Sequence, residues 1–196
     1  MVTFSDESTF LIGRGCRQYV RCRRGERYHS ACVESFQNRS KGSVNVWGAF
    51  NWYSHSNLIK LPRRMTSQKY TEILSDNIVD NIHLHPAERP YIFQHDNCPI
   101  HTSQYTKKWL HNHNVNILPW PSVSADANCI ENVWALMKRH LRKKHDIIDN
   151  AEQLYTELQR LWNKILDNNV IRHNLISSTT RRVRNILLRE GSFTKY

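Results

Sequence analysis

The hydrophobic pattern of this 196-residue chain changes its period along the sequence, from strand-like segments near the N-terminus to helical stripes further on. Residues 2–5 and 9–12 have the composition of short strands, and residues 44–50 keep a period of two. Residues 57–61, which end at Pro62, complete a predicted hairpin with 44–50. The first third of the chain is therefore expected to contribute three antiparallel strands.

The rest of the chain alternates helical stripes with short buried strands, which is typical of an α/β fold. A helix is predicted from Thr66, its N-cap, to about Ile82, and another over 102–111. Short strands are predicted at 91–93 and 115–118. Three more helices are predicted from apolar residues at Ile130, Val133, Trp134, Met137 and Leu141, then at Leu154, Leu158, Leu161 and Ile165, and finally, in a short helix, at Val183, Ile186 and Leu187.

The charge of the chain favours an anionic partner. Its 28 Lys and Arg against 17 Asp and Glu give a formal net charge of +11, which is typical of proteins that bind nucleic acid. A basic protein without such a ligand is the alternative. No apolar run approaches the roughly 18 residues of a membrane span, so we expect a soluble protein with no membrane partner. The five cysteines show no zinc-site spacing and are expected to be reduced.

Three carboxylates stand at the positions where this pattern changes. Asp6 and Asp96 follow strand-like runs, and Glu131 lies in the first turn of an amphipathic helix. Carboxylates converging from separate rigid elements can hold a pair of Mg²⁺ ions against a phosphodiester. Each acid has an ordinary alternative: Asp6 and Asp96 as strand-end turn residues, and Glu131 as a first-turn acid favoured by the helix dipole.

The sequence around the three acids resembles the DDE transposases of the Tc/mariner superfamily. Between Asp96 and Glu131 lie 34 residues, which is the spacing of the Tc-one-like branch. Five separated motifs carry the resemblance along the whole chain; they are Phe4-Ser5-Asp6-Glu7-Ser8, the basic segment 19–28, Gly42-Ser43-Val44-Asn45-Val46-Trp47-Gly48, Asp96-Asn97-Cys98-Pro99-Ile100-His101-Thr102 and the ending 191–196. The family usually has prolines where this chain has Ala125 and Cys129, which predicts a freer loop before Glu131.

The resemblance implies a fold and a reaction. The fold would be ribonuclease-H-like, a mixed five-stranded sheet flanked by helices with the three acids at one edge. Two Mg²⁺ or Mn²⁺ ions would be held by Asp6, Asp96 and Glu131, the catalytic residues. The implied activity is DNA transposition and integration, by phosphodiester hydrolysis and strand transfer at transposon ends and a TA target. A homodimer and a location in the nucleus are further expectations.

Residues around the acids have candidate roles too. Asn97 and His101 could orient water or touch the scissile phosphate, or could be ordinary turn and helix-start residues. A basic loop carries Arg21, Arg23, Arg24 and Arg27, which could contact DNA, clamp a partner subunit or form a solvated face. The catalytic helix continues into Lys138, Arg139 and Arg142, which suit DNA backbone binding and nuclear import.

The sequence predicts one domain over residues 1–196, with the basic loop inserted at about 14–43 and a helical C-terminal part at about 149–190. Members of this family carry two helix-turn-helix modules ahead of the first acid, whereas five residues precede Asp6 here. We therefore expect an isolated catalytic domain. The alternatives are a catalytically silent remnant that binds nucleic acid or dimerises, and a structure-selective nuclease on the same fold.

Overall fold

The strand β1 (Val2–Leu11) lies inside a four-stranded mixed sheet and pairs with a neighbour on each side. The structure is a computed structural model, and it describes residues 1–12, 42–79, 91–121, 127–142 and 148–188. On one side β1 pairs antiparallel with β2 (Ser43–Phe50), which pairs antiparallel with β3 (Ile59–Lys60). This confirms the three antiparallel strands. The two short segments predicted at 2–5 and 9–12 form one continuous strand.

On its other side β1 pairs in parallel with β4 (Ile92–Gln94), so the sheet order is β3-β2-β1-β4. The fifth strand, predicted at 115–118, is reduced to a single parallel bridge between Phe93 and Ile117. The pairing stops because Pro119 follows directly and has no amide hydrogen to donate to a ladder. The prediction of five strands is therefore wrong for the described residues, while the mixed α/β class is confirmed.

The helix predicted before β4 and the helix predicted after it are both present, but their bounds differ from the prediction. The helix α1 (Ser67–Leu74) begins at Thr66, whose side chain accepts a hydrogen bond from the Lys69 amide, and continues as a π-helical segment, Ser75–Val79. Ile82 lies outside the described residues. The helix predicted at 102–111 is divided into α2 (Pro99–Thr102) and α3 (Gln104–Asn112). Ser103 divides them because its backbone is extended and its hydroxyl caps α3.

Three helices complete the described chain: α4 (Ile130–Arg142), α5 (Ala151–Leu166) and α6 (Asn169–Leu188). The predicted short terminal helix is a 20-residue helix. Its N-terminal half is anchored by a polar group, because the buried Arg172 guanidinium donates hydrogen bonds to the carbonyls of Trp52 and Tyr53. Apolar periodicity cannot reveal an anchor of this kind. Within the described ranges, no helix has the length and apolar character needed to cross a membrane.

Helices cover both faces of the sheet and form two cores. One core places Phe4, Phe10 and the even-numbered residues of β2 against apolar residues of α4 and α5. The other places Trp47, Ala49 and Phe93 against apolar residues of α1 and α3. Because side chains alternate along a strand, consecutive residues of β1 serve opposite faces. This alternation decides the surroundings of Asp6 and Glu7.

Candidate active site around three carboxylates

The three predicted acids lie on one strand, just after a neighbouring strand and at one helix start. Asp6 lies in the middle of β1, Asp96 two residues beyond β4, and Glu131 in the first turn of α4. The last ladder pair between β1 and β4 is Phe4 with Gln94, and the Ser5 hydroxyl donates to the Gln94 carbonyl at 2.8 Å. Asp96 follows the end of this ladder by two residues, where the chain leaves the strand that pairs with β1.

Asp6 is partly buried on the face of the sheet that packs against α4. The indole Nε1 of Trp134 donates a hydrogen bond to Asp6 Oδ2 at 3.2 Å. Burial, followed by the nearby negative charges of Glu131 and Glu7, raises the pKa of Asp6 to about 7. Asp6 is therefore a carboxylate whose surroundings disfavour its ionised form.

Asn128 fixes the start of α4 against β1 and so brings Glu131 towards Asp6. Its amide nitrogen donates to the Ser5 carbonyl at 3.2 Å, and its side-chain oxygen accepts from the Ile130 amide at 3.2 Å. Asn128 is 5 % exposed, and Cys129 beside it is fully buried. Residues 122–126 lie outside the described residues. Over Asn128 to Ile130, where a freer loop was predicted, the chain is held to the sheet.

Asp96 has the opposite electrostatic environment. Its Oδ1 accepts hydrogen bonds from His101 Nδ1 at 2.7 Å and from the Cys98 amide at 2.9 Å. The hydrogen bond from His101 is the main reason why the pKa of Asp96 is lowered. Both contacts use Oδ1, which leaves Oδ2 as the oxygen available, within the described part of the chain, to a cation.

His101 is buried and joins two acids. Its Nε2 lies 3.3 Å from Glu7 Oε1, while Nδ1 faces Asp96, and the residue is 5 % exposed. Burial lowers the pKa of this imidazole, but the hydrogen bonds to Asp96 and Glu7 outweigh burial and raise it to about 10. His101 is therefore a fixed internal cation, and the reading of it as an ordinary helix-start residue does not describe its contacts.

Two aromatic rings hold the His101 imidazole in place. Tyr70 stacks on it with ring centroids 4.1 Å apart, and His95 stacks on it at 5.1 Å. Burial, followed by the charge of His101, lowers the pKa of His95 to about 4, so His95 is neutral at pH 7. The Tyr70 hydroxyl and His95 Nδ1 form a hydrogen bond at 3.0 Å. The stack places a neutral histidine beside a charged one.

Asn97 and the predicted basic residues are distributed around this centre. The exposed Asn97 donates from its amide to the Trp120 carbonyl at 2.8 Å, which orders the loop after the Phe93–Ile117 bridge. Lys138 lies over the Phe10 ring, 5.5 Å from its centroid, while Arg139 and Arg142 are exposed on α4. The basic loop residues lie outside the described part of the chain; they are Arg21, Arg23, Arg24 and Arg27.

Sequence reasoning missed three residues that position the acids: Glu7, Asn128 and Trp134. Alternation along β1 could have placed Glu7 on the face opposite Asp6. The cap preference of asparagine just before a helix could have indicated Asn128. Trp134 was assigned to the apolar stripe of α4, and its indole donor was overlooked.

Within the described ranges, no three His, Cys, Asp or Glu side chains lie close enough together to hold a metal ion.

The mixed sheet and its adjacent acids define a class, the ribonuclease-H-like nuclease domains of DDE type. A family of DDE superfamily endonucleases matches residues 1–155. The chain is 34% identical over 194 residues to the Tcb2 transposase of Caenorhabditis briggsae, and equally to the Tc1 transposase of Caenorhabditis elegans. Each match covers 98% of this chain and 69% of the relative. The chain therefore belongs to the DDE superfamily, among the catalytic domains of the Tc1/mariner transposases.

Solved structures show the same fold at low sequence identity. A mariner Mos1 paired end complex with Mg matches with a TM-score of 0.81 and 17% identity, over 99% of this chain and 56% of that chain. The isolated catalytic domain of Mos1 matches with a TM-score of 0.72 and 16% identity, over 99% of this chain and 84% of that one. The chain thus spans little more than half of the Mos1 chain in the paired end complex. The ribonuclease-H-like fold predicted from the sequence is confirmed.

Proposed function

We propose that this chain cuts and joins DNA phosphodiesters with divalent metal ions held by Asp6, Asp96 and Glu131. The observation that carries the proposal is that Asn128 ties the start of α4, which carries Glu131, to β1 next to Asp6, while Asp96 follows β4, the parallel neighbour of β1. Family membership supports the reaction type, because the matched family is one of endonucleases. The reaction would comprise hydrolysis at a transposon end and strand transfer to a target.

The chemistry of the acids suits a hard divalent cation. Carboxylate oxygens are the ligands that Mg²⁺ and Mn²⁺ prefer. Burial and the charges of Glu131 and Glu7 make ionised Asp6 unfavourable, which an added positive charge would reverse. When bound, two such ions would activate the attacking hydroxyl and stabilise the leaving oxygen. Two solved Mos1 paired end complexes, one with Mg and one with Mn, agree with this choice of metals.

The other residues of the site prepare the acids for this role. His101 keeps Asp96 ionised at neutral pH and fixes its orientation through Oδ1. Glu7 holds the other nitrogen of His101, so the imidazole cannot turn away from Asp96. Asn128 ties α4 to β1 and limits the movement of Glu131 relative to Asp6. We assign Asn97 a supporting role, since its amide orders the chain at Trp120 rather than contacting an acid.

We also propose DNA as the partner. The net charge of +11 and the exposed Arg139 and Arg142 on the helix that carries Glu131 support binding to the phosphate backbone. Solved Mos1 relatives include a pre-cleavage transpososome and a strand transfer complex. By family resemblance, the ends of a transposon, a TA target, pairing of two subunits and action in the nucleus belong to the same proposal, as does a DNA or clamp role for the basic loop.

The test is nicking of a labelled, pre-nicked or branched DNA duplex with and without Mg²⁺ or Mn²⁺. We expect the wild-type chain to cut only with metal, and Asp96→Asn to cut at least about 100-fold more slowly. Asp167→Asn is the matched control, because Asp167 is an exposed acid after α5 that bonds to His55. This control should cut like the wild type.

Equal cutting by wild type and Asp96→Asn would overturn the proposal, since it would show a contaminating nuclease. No cutting by the wild type on any of these substrates, with either metal, would instead identify a catalytically silent domain. Cutting that depends on branches but not on transposon-end sequence would support a structure-selective nuclease. Salt should weaken DNA binding steeply if phosphate contacts dominate.

A further inference from the structure

Trp134 contacts an acid, and it does so from within the apolar core. It is 1 % exposed and lies on the buried stripe of α4, one helical turn after Glu131. Its Nε1 donates to Asp6 Oδ2 at 3.2 Å. An indole donor is fixed by its ring and cannot exchange with water when buried. The direction of the Asp6 carboxylate therefore depends on where the Trp134 ring is held.

The Trp134 ring is held by a second tryptophan. Trp162 of α5 stacks on it with centroids 5.1 Å apart and an interplanar angle of 23°, and Phe10 meets it edge-on at 6.1 Å. Trp162 is fully buried, and its own Nε1 donates to the Ser56 carbonyl at 2.8 Å. Both indoles are thus fixed by packing and by a hydrogen bond, so the stack is a rigid support.

Gly48 makes room for this stack next to Asp6. It is the cross-strand partner of Asp6 in the β1–β2 ladder. A Cβ atom added to Gly48 would lie 2.5 Å from Trp162 Cη2, a distance that atoms cannot adopt without displacement. The glycine therefore allows Trp162 to lie directly on the sheet, and Trp162 in turn keeps Trp134 over Asp6.

We propose that Trp134 is a positioning residue: its indole N–H fixes the Asp6 carboxylate in the orientation in which that carboxylate receives a divalent cation. The alternative is that Trp134 only fills the core. The two readings differ in chemistry, because Phe fills most of the same space but donates no hydrogen bond. This inference rests on the proposed function, in which Asp6 is a metal ligand.

The first test observes the hydrogen bond directly by NMR of the protein labelled with ¹⁵N at its six tryptophans. Trp134→Phe identifies the Trp134 indole resonance. We expect Asp6→Asn to shift that resonance, and Mg²⁺ added to the wild type to shift it as well. Trp47, which is buried on the opposite face of the sheet, is the internal control and should not move.

The second test measures the Mg²⁺ dissociation constant by calorimetric titration. We expect Trp134→Phe to bind Mg²⁺ about 10-fold more weakly than the wild type, as for other groups that orient a metal ligand. Trp47→Phe is the matched control: it makes the same change at a fully buried tryptophan, but in the core on the opposite face of the sheet from Trp134. It should change the constant by less than about twofold.

An unmoved Trp134 resonance in Asp6→Asn would overturn the proposal. Equal weakening of Mg²⁺ binding in Trp134→Phe and Trp47→Phe would overturn it too, because the effect would then come from core packing. If the wild type binds Mg²⁺ and Trp134→Phe binds it equally well, this inference fails while the proposed function stands. Absence of Mg²⁺ binding by the wild type would overturn both.

Discussion

Asp6 lies on β1 and Asp96 follows the neighbouring strand β4, yet the surroundings of the two acids shift their pKa values in opposite directions. Asp96 faces a buried imidazolium, His101, and the pKa of Asp96 is lowered by that contact. Asp6 faces an indole donor and two other acids, and burial with these charges raises its pKa to about 7. Within the described part of the chain, Asp96 has a buried counter-ion and Asp6 does not.

This difference in environment indicates which acid should be stabilised more by a bound metal ion. A group that is already paired gains little from another positive charge, whereas a buried acid among acids gains much. Metal binding should therefore couple to stability mainly through Asp6, and Asp96 should act as a preset ligand. The following experiments test this asymmetry.

The largest effect is expected on the Asp96 side, from His101→Phe. The phenyl ring keeps the stack with Tyr70 but removes the cation between Asp96 and Glu7. Removing one member of a buried ion pair leaves charges uncompensated, and we expect the free energy of unfolding to fall by about 3 kcal/mol at pH 6. Urea denaturation measures the change. His140→Phe, at an exposed histidine of α4, should cost less than about 0.5 kcal/mol.

The pH dependence of this loss has a definite sign. The pKa of His101 is about 10 in the folded protein, above the ordinary 6.5 of histidine. Its stabilisation is therefore complete below pH 6.5 and disappears as the pH rises through 10. The difference in stability between wild type and His101→Phe should shrink steadily over that range. A difference that stays constant to pH 10 would show that His101 is not the cation described above.

A smaller effect of opposite sign is expected from Asp6→Asn without metal. The amide keeps an acceptor for Trp134 and removes a charge that is unfavourable among Glu131 and Glu7. We expect the variant to be about 2 kcal/mol more stable than the wild type at pH 8, measured by urea denaturation in EDTA. Mg²⁺ should raise the melting temperature of the wild type but not of this variant.

The sign follows from the pKa of Asp6, which is about 7 when folded and 3.8 ordinarily. Its contribution to stability is full below pH 3.8 and is lost as the pH rises through 7. The advantage of Asp6→Asn should therefore appear between pH 4 and pH 8. Asp167→Asn, at an exposed acid, is the control and should show no such gain. If Asp6→Asn were less stable than the wild type at pH 8, ionised Asp6 would not be unfavourable, and the contrast with Asp96 would be wrong.

The smallest effect on stability is expected at Asn128. Substitution of this residue should also weaken Mg²⁺ binding at the three acids. Asn128→Ala removes the bonds to the Ser5 carbonyl and the Ile130 amide, which should cost about 1 kcal/mol. Asn150→Ala removes the N-cap of α5, which accepts from Gln153, and should cost about the same. Calorimetry should show weaker Mg²⁺ binding in Asn128→Ala alone. Equal binding by the two variants would show that the α4 anchor does not position Glu131.

The sequence predicted the order of strands and helices well, because most elements have apolar residues at regular spacing. It also predicted the neighbourhood of Asp96, where the acid and His101 lie within one short motif. It did not predict the support of Asp6, because Trp134 and Trp162 are 128 and 156 positions away and look like ordinary core residues. Contacts between distant residues depend on how helices pack against the sheet, and no local pattern records that packing.

Other differences between the sequence-based predictions and the structure have local physical causes. The fifth strand shortens to a bridge at Ile117 because a proline follows, and α6 was underestimated because the buried Arg172 anchors it. The role of Glu7 was not predicted although it adjoins Asp6. The motif Phe4-Ser5-Asp6-Glu7-Ser8 was matched as a whole, without assigning its alternate side chains to opposite faces of the sheet. The catalytic roles of Asp6, Asp96 and Glu131, and the supporting roles of Asn97 and His101, remain predictions that the DNA-cutting experiment tests.

The alternation along β1 also has a consequence for the fidelity of folding. If the strand paired one residue out of register, Glu7 would face the tryptophans and Asp6 would face His101. Acids would then stand in both places, differing by one methylene, so charge alone could not distinguish the two arrangements. Phe4 and Phe10 make the choice, because the same slip would turn both rings out of their core. Two residues that take no part in the chemistry thus decide which acid is presented to it.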